Sequence, residues 1–113
     1  MKEIINREQI LKQIGGNAET LKEIVELFVV ESAKLMTRIW DAITNEDPSE
    51  LQRAAHTLKG SIRLFGLERP AAAALRLEIM GRDKNLAGAE EAWLKLTKEI
   101  ERFIPRLRDL AKS

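Results

Sequence analysis

One histidine occurs among 113 residues, and it sits in the stretch Ala54-Ala55-His56-Thr57-Leu58-Lys59-Gly60-Ser61. Leu51, Ala55, Leu58, Ile62 and Phe65 recur at steps of four and three. Such steps line up on one face of a helix of 3.6 residues per turn. His56 follows Ala55 and is therefore rotated about 100° off this apolar stripe. It is expected on the flank or outside of the helix. Gln52, Arg53, Lys59, Gly60 and Arg63 lie three, four or seven residues away, which makes them its neighbours on that outer face. An outward imidazole is largely uncharged and nucleophilic near neutral pH, because its ordinary pKa is about 6.5. A cation one turn away can offset negative charge developing on an attacked group. A residue without a side chain lets a large partner come close, and glycine in a helix interior costs about 1 kcal/mol, so Gly60 wants a reason. Ser61 can bond back to the carbonyl four residues earlier or help form a docking rim.

Other chemistries lack their residues. The chain has no cysteine, which excludes disulfides, thiol catalysis and zinc–thiolate sites. No GxxxxGK[ST] or GxGxxG loop is present, so nucleotide binding has no support. Ser61 and His56 are five apart on one helix with no orienting acid, so no triad forms. No convincing metal cluster is visible. The formal net charge of +1 gives no basic excess for nucleic acid or an anionic membrane. No run of about 18 apolar residues exists to span a bilayer, and the Met-Lys-Glu-Ile-Ile-Asn start lacks a signal-peptide apolar region. A cytoplasmic protein is expected.

Helices must position the histidine. Ala, Leu, Glu, Lys and Arg make up just over half of the chain, and only five residues are aromatic. Residues 6–14 read as a short helix, with Ile10, Leu11 and Ile14 covering one end of a bundle. Gly15-Gly16-Asn17 breaks it, and Asn17 is an N-cap for a long helix over 18–45. That helix carries Leu21, Val25, Phe28, Ser32, Leu35, Ile39 and Ala42 on its inner stripe. Leu27 and Val30 fall outside the stripe and are expected to be exposed. Asp47 caps the next helix, Pro48 suits its first position and Glu50 can close a capping box. This helix runs to about Phe65, with Gly66 ending it in the left-handed conformation. A helix over 68–83 follows, with Pro70 in its first turn and Ala71 to Ala74 allowing close approach. Leu75 and Ile79 are its expected inner face, with Leu77 and Met80 beside it. The last helix covers 87–111, and Glu90 and Glu91 form its solvated first turn. Pro105 is expected to kink it or fray it early, because proline costs about 3 kcal/mol inside a helix. Trp40, Trp93 and Phe103 are expected in the core. Short turns between long amphipathic helices imply antiparallel neighbours. The expected fold is therefore all-α: an up-down antiparallel four-helix bundle with a short N-terminal covering helix, one domain over 1–113.

With His56-Thr57-Leu58-Lys59-Gly60-Ser61 and Phe65-Gly66 in place, the sequence resembles the histidine phosphotransfer (HPt) domains of bacterial two-component phosphorelays. Gly15-Gly16-Asn17, Asp47-Pro48, Leu77-Glu78 and Asn85-Leu86-Ala87-Gly88-Ala89-Glu90 also look like the family pattern, so the resemblance covers nearly the whole chain. It implies a phosphocarrier with no catalytic or nucleotide site of its own. His56 would accept a phosphoryl group from an aspartyl phosphate on one response-regulator receiver domain and pass it to an aspartate on another. Lys59 carries over as the cation near the phosphoryl group and Gly60 as the bare surface for partner access. Gln52, Arg53, Ser61 and Arg63 are candidates for the docking rim. Mg²⁺ would come from the receiver's acidic pocket, and a hybrid sensor histidine kinase would stand upstream. Two positions depart from the pattern: Ile62 stands where many members carry a small residue, and Leu64 where many carry a polar one. Alternative readings are the phosphoacceptor domain of a chemotaxis-type kinase and an adaptor bundle that no longer carries phosphate. The Gly-Gly-Asn opening and the ending at Ser113 favour the first reading. No sustained exposed apolar seam calls for a dimer, so a monomer is expected.

Overall fold

In a computed structural model that describes residues 6–112, five α-helices follow one another, with no strand among the described residues. They are α1 (Arg7–Gln13), α2 (Ala18–Thr44), α3 (Pro48–Leu64), α4 (Glu68–Arg82) and α5 (Ala89–Lys112). Met1, within the Met-Lys-Glu-Ile-Ile start, and Ser113 lie outside the described residues.

The helix starts follow from local chemistry. Asn17 Oδ1 accepts hydrogen bonds from the Glu19 and Thr20 amides, and Asp47 accepts from the Glu50 amide. Each satisfies backbone donors that a first helical turn leaves without partners. Glu50 does not close the expected capping box. Its carboxylate reaches across to Arg38 on α2, whose Nε donates to Oε1 at 2.9 Å. Gly66, at φ 71°, ends α3 in the left-handed region, as its type predicts.

Packing joins α2 to α3 and α5, α3 to α4, and α4 to α5. Cross-helix pairs descend one helix as they climb the other. On α2 and α3 these are Arg38 with Glu50 and Phe28 with Phe65, and on α2 and α5 Met36 with Trp93 and Glu26 with Arg108. The core contains Leu21, Val25, Ile39, Leu51, Leu58, Ile62, Leu77, Leu96 and Leu107, each fully buried. Burying one such side chain contributes about 1.5–3 kcal/mol. α1 lies against the start of α2 with Ile10 buried, and Arg7 Nε donates to the Leu110 carbonyl at 3.2 Å.

Several expectations change here. The inner face of α4 is Pro70, Ala71, Ala73, Ala74, Leu77 and Gly81, whereas Leu75 and Ile79 are only half-buried. Small side chains draw α4 in along the alanine side and turn the larger ones to the rim. Trp40 and Trp93 are half-buried at the edge of the core, stacked at a tilt with centroids 4.7 Å apart. Trp93 Nε1 donates to the Met36 carbonyl at 3.0 Å, which keeps its polar edge satisfied. Helix α5 neither ends nor frays at Pro105 but continues to Lys112. Pro105 is exposed, and Glu101, whose carbonyl loses its donor, is exposed too. Water can serve that carbonyl while buried Phe103 and Leu107 hold the helix on either side.

Candidate functional site

His56 lies on α3 with a side chain 67% exposed, off the buried stripe as helical geometry predicts. Its backbone is held by its neighbours Ala54, Ala55 and Leu58, all fully buried. The ring has a partner on the next helix. Nδ1 lies 3.1 Å from Oε2 of Glu78 on α4. The other oxygen of that carboxylate, Oε1, is 2.6 Å from Lys59 Nζ. One acidic side chain thus holds both the imidazole and the ammonium. The Lys59 contact is a close ion pair of opposite charges.

Lys59 is not on the open outer face where helical position placed it. It is buried between α3 and α4, with a side chain 11% exposed. Its aliphatic stem suits the helix interface, and Glu78 supplies the countercharge that a buried ammonium needs. Partial burial pushes the Glu78 carboxyl up, but Lys59 and His56, by hydrogen bonding and charge, outweigh it and hold it below its ordinary value. An ionised carboxylate only accepts hydrogen bonds. His56 Nδ1 must therefore carry the proton in this contact. In the neutral ring that leaves the lone pair on Nε2.

Gly60 is exposed, and a Cβ built on it would meet nothing within 4 Å. The surface beside His56 is open there. Ser61 Oγ donates to the Thr57 carbonyl at 3.3 Å, the back-bond expected for a serine within a helix. Arg53 is exposed and reaches Ser49 Oγ at 3.3 Å, and Arg63 is exposed near the end of α3. Gln52 is half-buried, and its backbone lies at the crossing with α4. The structure therefore brings His56, Lys59 and Glu78 together and leaves Arg53 and Arg63 as rim charges. Sequence reasoning gave Glu78 no role beyond its place in a family pattern. The available signal was the lack of any acid on α3 facing His56, which leaves a neighbouring helix to supply one.

Among the described residues, no group of three or more His, Cys, Asp or Glu side chains is placed to hold a metal ion. Nor is any helix of the described residues long and apolar enough to cross a membrane.

Comparison with curated proteins and with solved structures gave no match. Comparison with protein families matched the Hpt domain over residues 23–109, about three quarters of the chain and all of the His56–Lys59–Glu78 cluster. With an exposed histidine steadied by a neighbouring helix inside that match, the chain belongs to the Hpt family of histidine phosphotransfer domains.

Proposed function

We propose that this chain is a phosphohistidine carrier whose phosphoacceptor is His56, in one domain spanning residues 1–113 with the up-down four-helix topology that its cross-helix pairs support. Histidine phosphotransfer in phosphorelays is the general activity of the Hpt family. The observation that carries the residue assignment is the contact of His56 Nδ1 with an ionised Glu78, in a ring otherwise open to solvent.

In the forward step the Nε2 lone pair attacks the phosphorus of a receiver's aspartyl phosphate. The N–P bond forms, the bond from phosphorus to the carboxylate oxygen breaks, and the aspartate leaves as a carboxylate. Nε2 carries no proton before attack, so none has to depart. The ring becomes positive as the bond forms, and Glu78 faces its Nδ1–H. In the onward step an aspartate of a second receiver attacks the same phosphorus and Nε2 leaves with its electron pair. Phosphoryl transfer of this kind depends chiefly on alignment and charge. Lys59 offsets the charge of Glu78 and adds positive potential beside the phosphoryl group. The proposal assigns Mg²⁺ to the receiver.

Docking is proposed on the face continuous with His56. Gly60 opens it, and Gln52, Arg53, Ser61 and Arg63 border it. Two turns beyond His56, exposed Leu64 and Leu27 border a hollow of about 130 Å³ that also contacts Ser61. These apolar groups suit a receiver's apolar docking surface. A hybrid sensor kinase upstream, a cytoplasmic location and a monomeric state complete the reading.

The test is transfer of labelled phosphate from a receiver domain, with Mg²⁺, to the wild type and to His56→Gln. Acid-labile, base-stable label on the wild type alone supports the proposal. Label only from a chemotaxis-type kinase domain with ATP supports a kinase phosphoacceptor domain instead. Receiver binding without any label supports an adaptor.

A further inference from the structure

Gly81 is the one glycine of the chain where an added Cβ would collide with backbone. It is buried in α4, and that Cβ would lie 2.6 Å from the Gln52 nitrogen, 2.6 Å from the Pro48 carbonyl oxygen and 2.9 Å from Gln52 Cα. All three atoms belong to the first turns of α3, so no rotamer change relieves the clash. Gly81 lies one turn beyond Glu78 on α4, and Gln52 one turn before His56 on α3. The closest approach of the two helices thus sits directly beside the contacts of Glu78 with His56 and Lys59.

We propose that Gly81 is a positioning residue for phosphotransfer: by carrying no side chain it sets the α3–α4 separation at which one Glu78 carboxylate reaches both His56 Nδ1 and Lys59 Nζ. The proposal rests on His56 being the phosphoacceptor. Carbon atoms settle about 3.5 Å or more from their neighbours, so an alanine there would part the helices by roughly 0.6–0.9 Å. Helices move as rods over a single turn. The His56–Glu78 contact, now 3.1 Å, would open to roughly 3.7 Å or more, beyond hydrogen-bond reach. Readjustment of the Glu78 side chain does not rescue the site. Its two oxygens already serve two partners on α3, and following one loosens the other. Helix propensity works in the opposite direction, since alanine is preferred over glycine in a helix interior. A glycine here is therefore held by the crossing and not by α4 itself.

The experiment compares wild type, Gly81→Ala and Ile100→Val, the last a mild core change on α5 away from the crossing. Two quantities are read: the ring-nitrogen NMR signature of His56 in the unphosphorylated protein, and the rate of transfer from a labelled receiver. Gly81→Ala is expected to convert the ring from mainly Nδ1–H to the mixture of an unpartnered histidine. Transfer should slow about tenfold, as small misplacements of reacting groups do. Ile100→Val should change neither. An unchanged ring signature in Gly81→Ala overturns the inference whatever the transfer rate, and so does a changed signature with unchanged transfer. If the wild type takes no label at all, the phosphoacceptor reading fails, while the ring signature still decides whether Gly81 sets the contact. Should Gly81→Ala not fold, both readings are repeated in trimethylamine N-oxide, which favours compact states. A chain that stays unfolded there makes Gly81 a requirement of folding and overturns the positioning role.

Discussion

In the proposed carrier, Glu78 selects the nitrogen of His56 that takes the phosphoryl group. With a carboxylate facing Nδ1 at 3.1 Å, the proton is kept there and the lone pair of the neutral ring lies on Nε2. Glu78→Gln should cut transfer about tenfold or more, because an amide can donate as well as accept and no longer selects one tautomer. Receiver binding should stay unchanged, which separates this loss from a docking defect. The same substitution leaves the buried Lys59 ammonium without its countercharge and should cost about 1–3 kcal/mol in a urea titration near neutral pH. The cost should depend on pH with a definite sign. The folded-state pKa of Glu78 lies below its ordinary value of 4.5. Between those two values the unfolded chain binds more protons than the folded one, so stability rises with pH. The stabilisation is full above the ordinary value and is lost as acid lowers the pH through the folded value. The gap between wild type and Glu78→Gln should therefore narrow as urea midpoints are followed from about pH 7 to about pH 3, and a constant gap would show that Glu78 is not held ionised by its partners. His56→Gln, by contrast, removes a largely exposed ring and should shift stability by less than about 0.5 kcal/mol. Exposure of His56 was legible in the sequence because it depends only on its angle from the apolar stripe. Burial of Lys59 was not, because it depends on a carboxylate brought in by another helix.

At the scale of elements, α3 carries His56, the proposed phosphoacceptor, and α4 brings Glu78 to it. The start and stop of α3 were readable from single residues, namely Asp47 with Pro48 at one end and Gly66 at the other, whereas α4 begins after Leu67 with no side-chain cap. The face that α4 turns inward was misjudged. Hydropathy alone favours Leu75 and Ile79, but four consecutive alanines and Gly81 allow a closer approach on another side, and close approach buries more of the chain. Capping failed in one detail for a similar reason: Glu50 has Arg38 of α2 as a partner, and no local rule contains that residue. The proposed docking face belongs to this scale because it spans two helices. Leu27 on α2 is 60% exposed and Leu64 on α3 is 37% exposed. Leu64→Asp should leave folding stability within about 0.5 kcal/mol of wild type, as exposed substitutions usually do. It should weaken receiver binding severalfold in calorimetry while the His56 ring signature stays that of wild type. Equal receiver affinity for the two proteins would move the docking face elsewhere on the bundle.

Across the whole molecule, the far end of the core and the His56 cluster lie on different parts of the bundle. The bundle measures 42 × 27 × 19 Å, and α5 packs against α2 and α4. It therefore supports the α3–α4 pair from behind and lends no side chain to the His56 cluster. Leu107, near its end, is fully buried, and Arg108 and Leu110 tie that end to Glu26 of α2 and Arg7 of α1. Truncating such a leucine removes its burial and leaves a cavity that its surroundings only partly close. Leu107→Ala should thus cost about 2–5 kcal/mol, and each kcal/mol lowers the melting midpoint of a domain this size by about 4–8 °C. Below that lowered midpoint, transfer to His56 should proceed at the wild-type rate, because the α3–α4 crossing is untouched. Thermal melts followed by transfer assays at a temperature where both proteins are folded check this. A rate that falls with stability, in protein that circular dichroism shows to be folded, would mean that the far end of α5 helps set the His56–Glu78 contact. The bundle would then act as one coupled unit, and the crossing at Gly81 would be only one of several places that fix the geometry of His56.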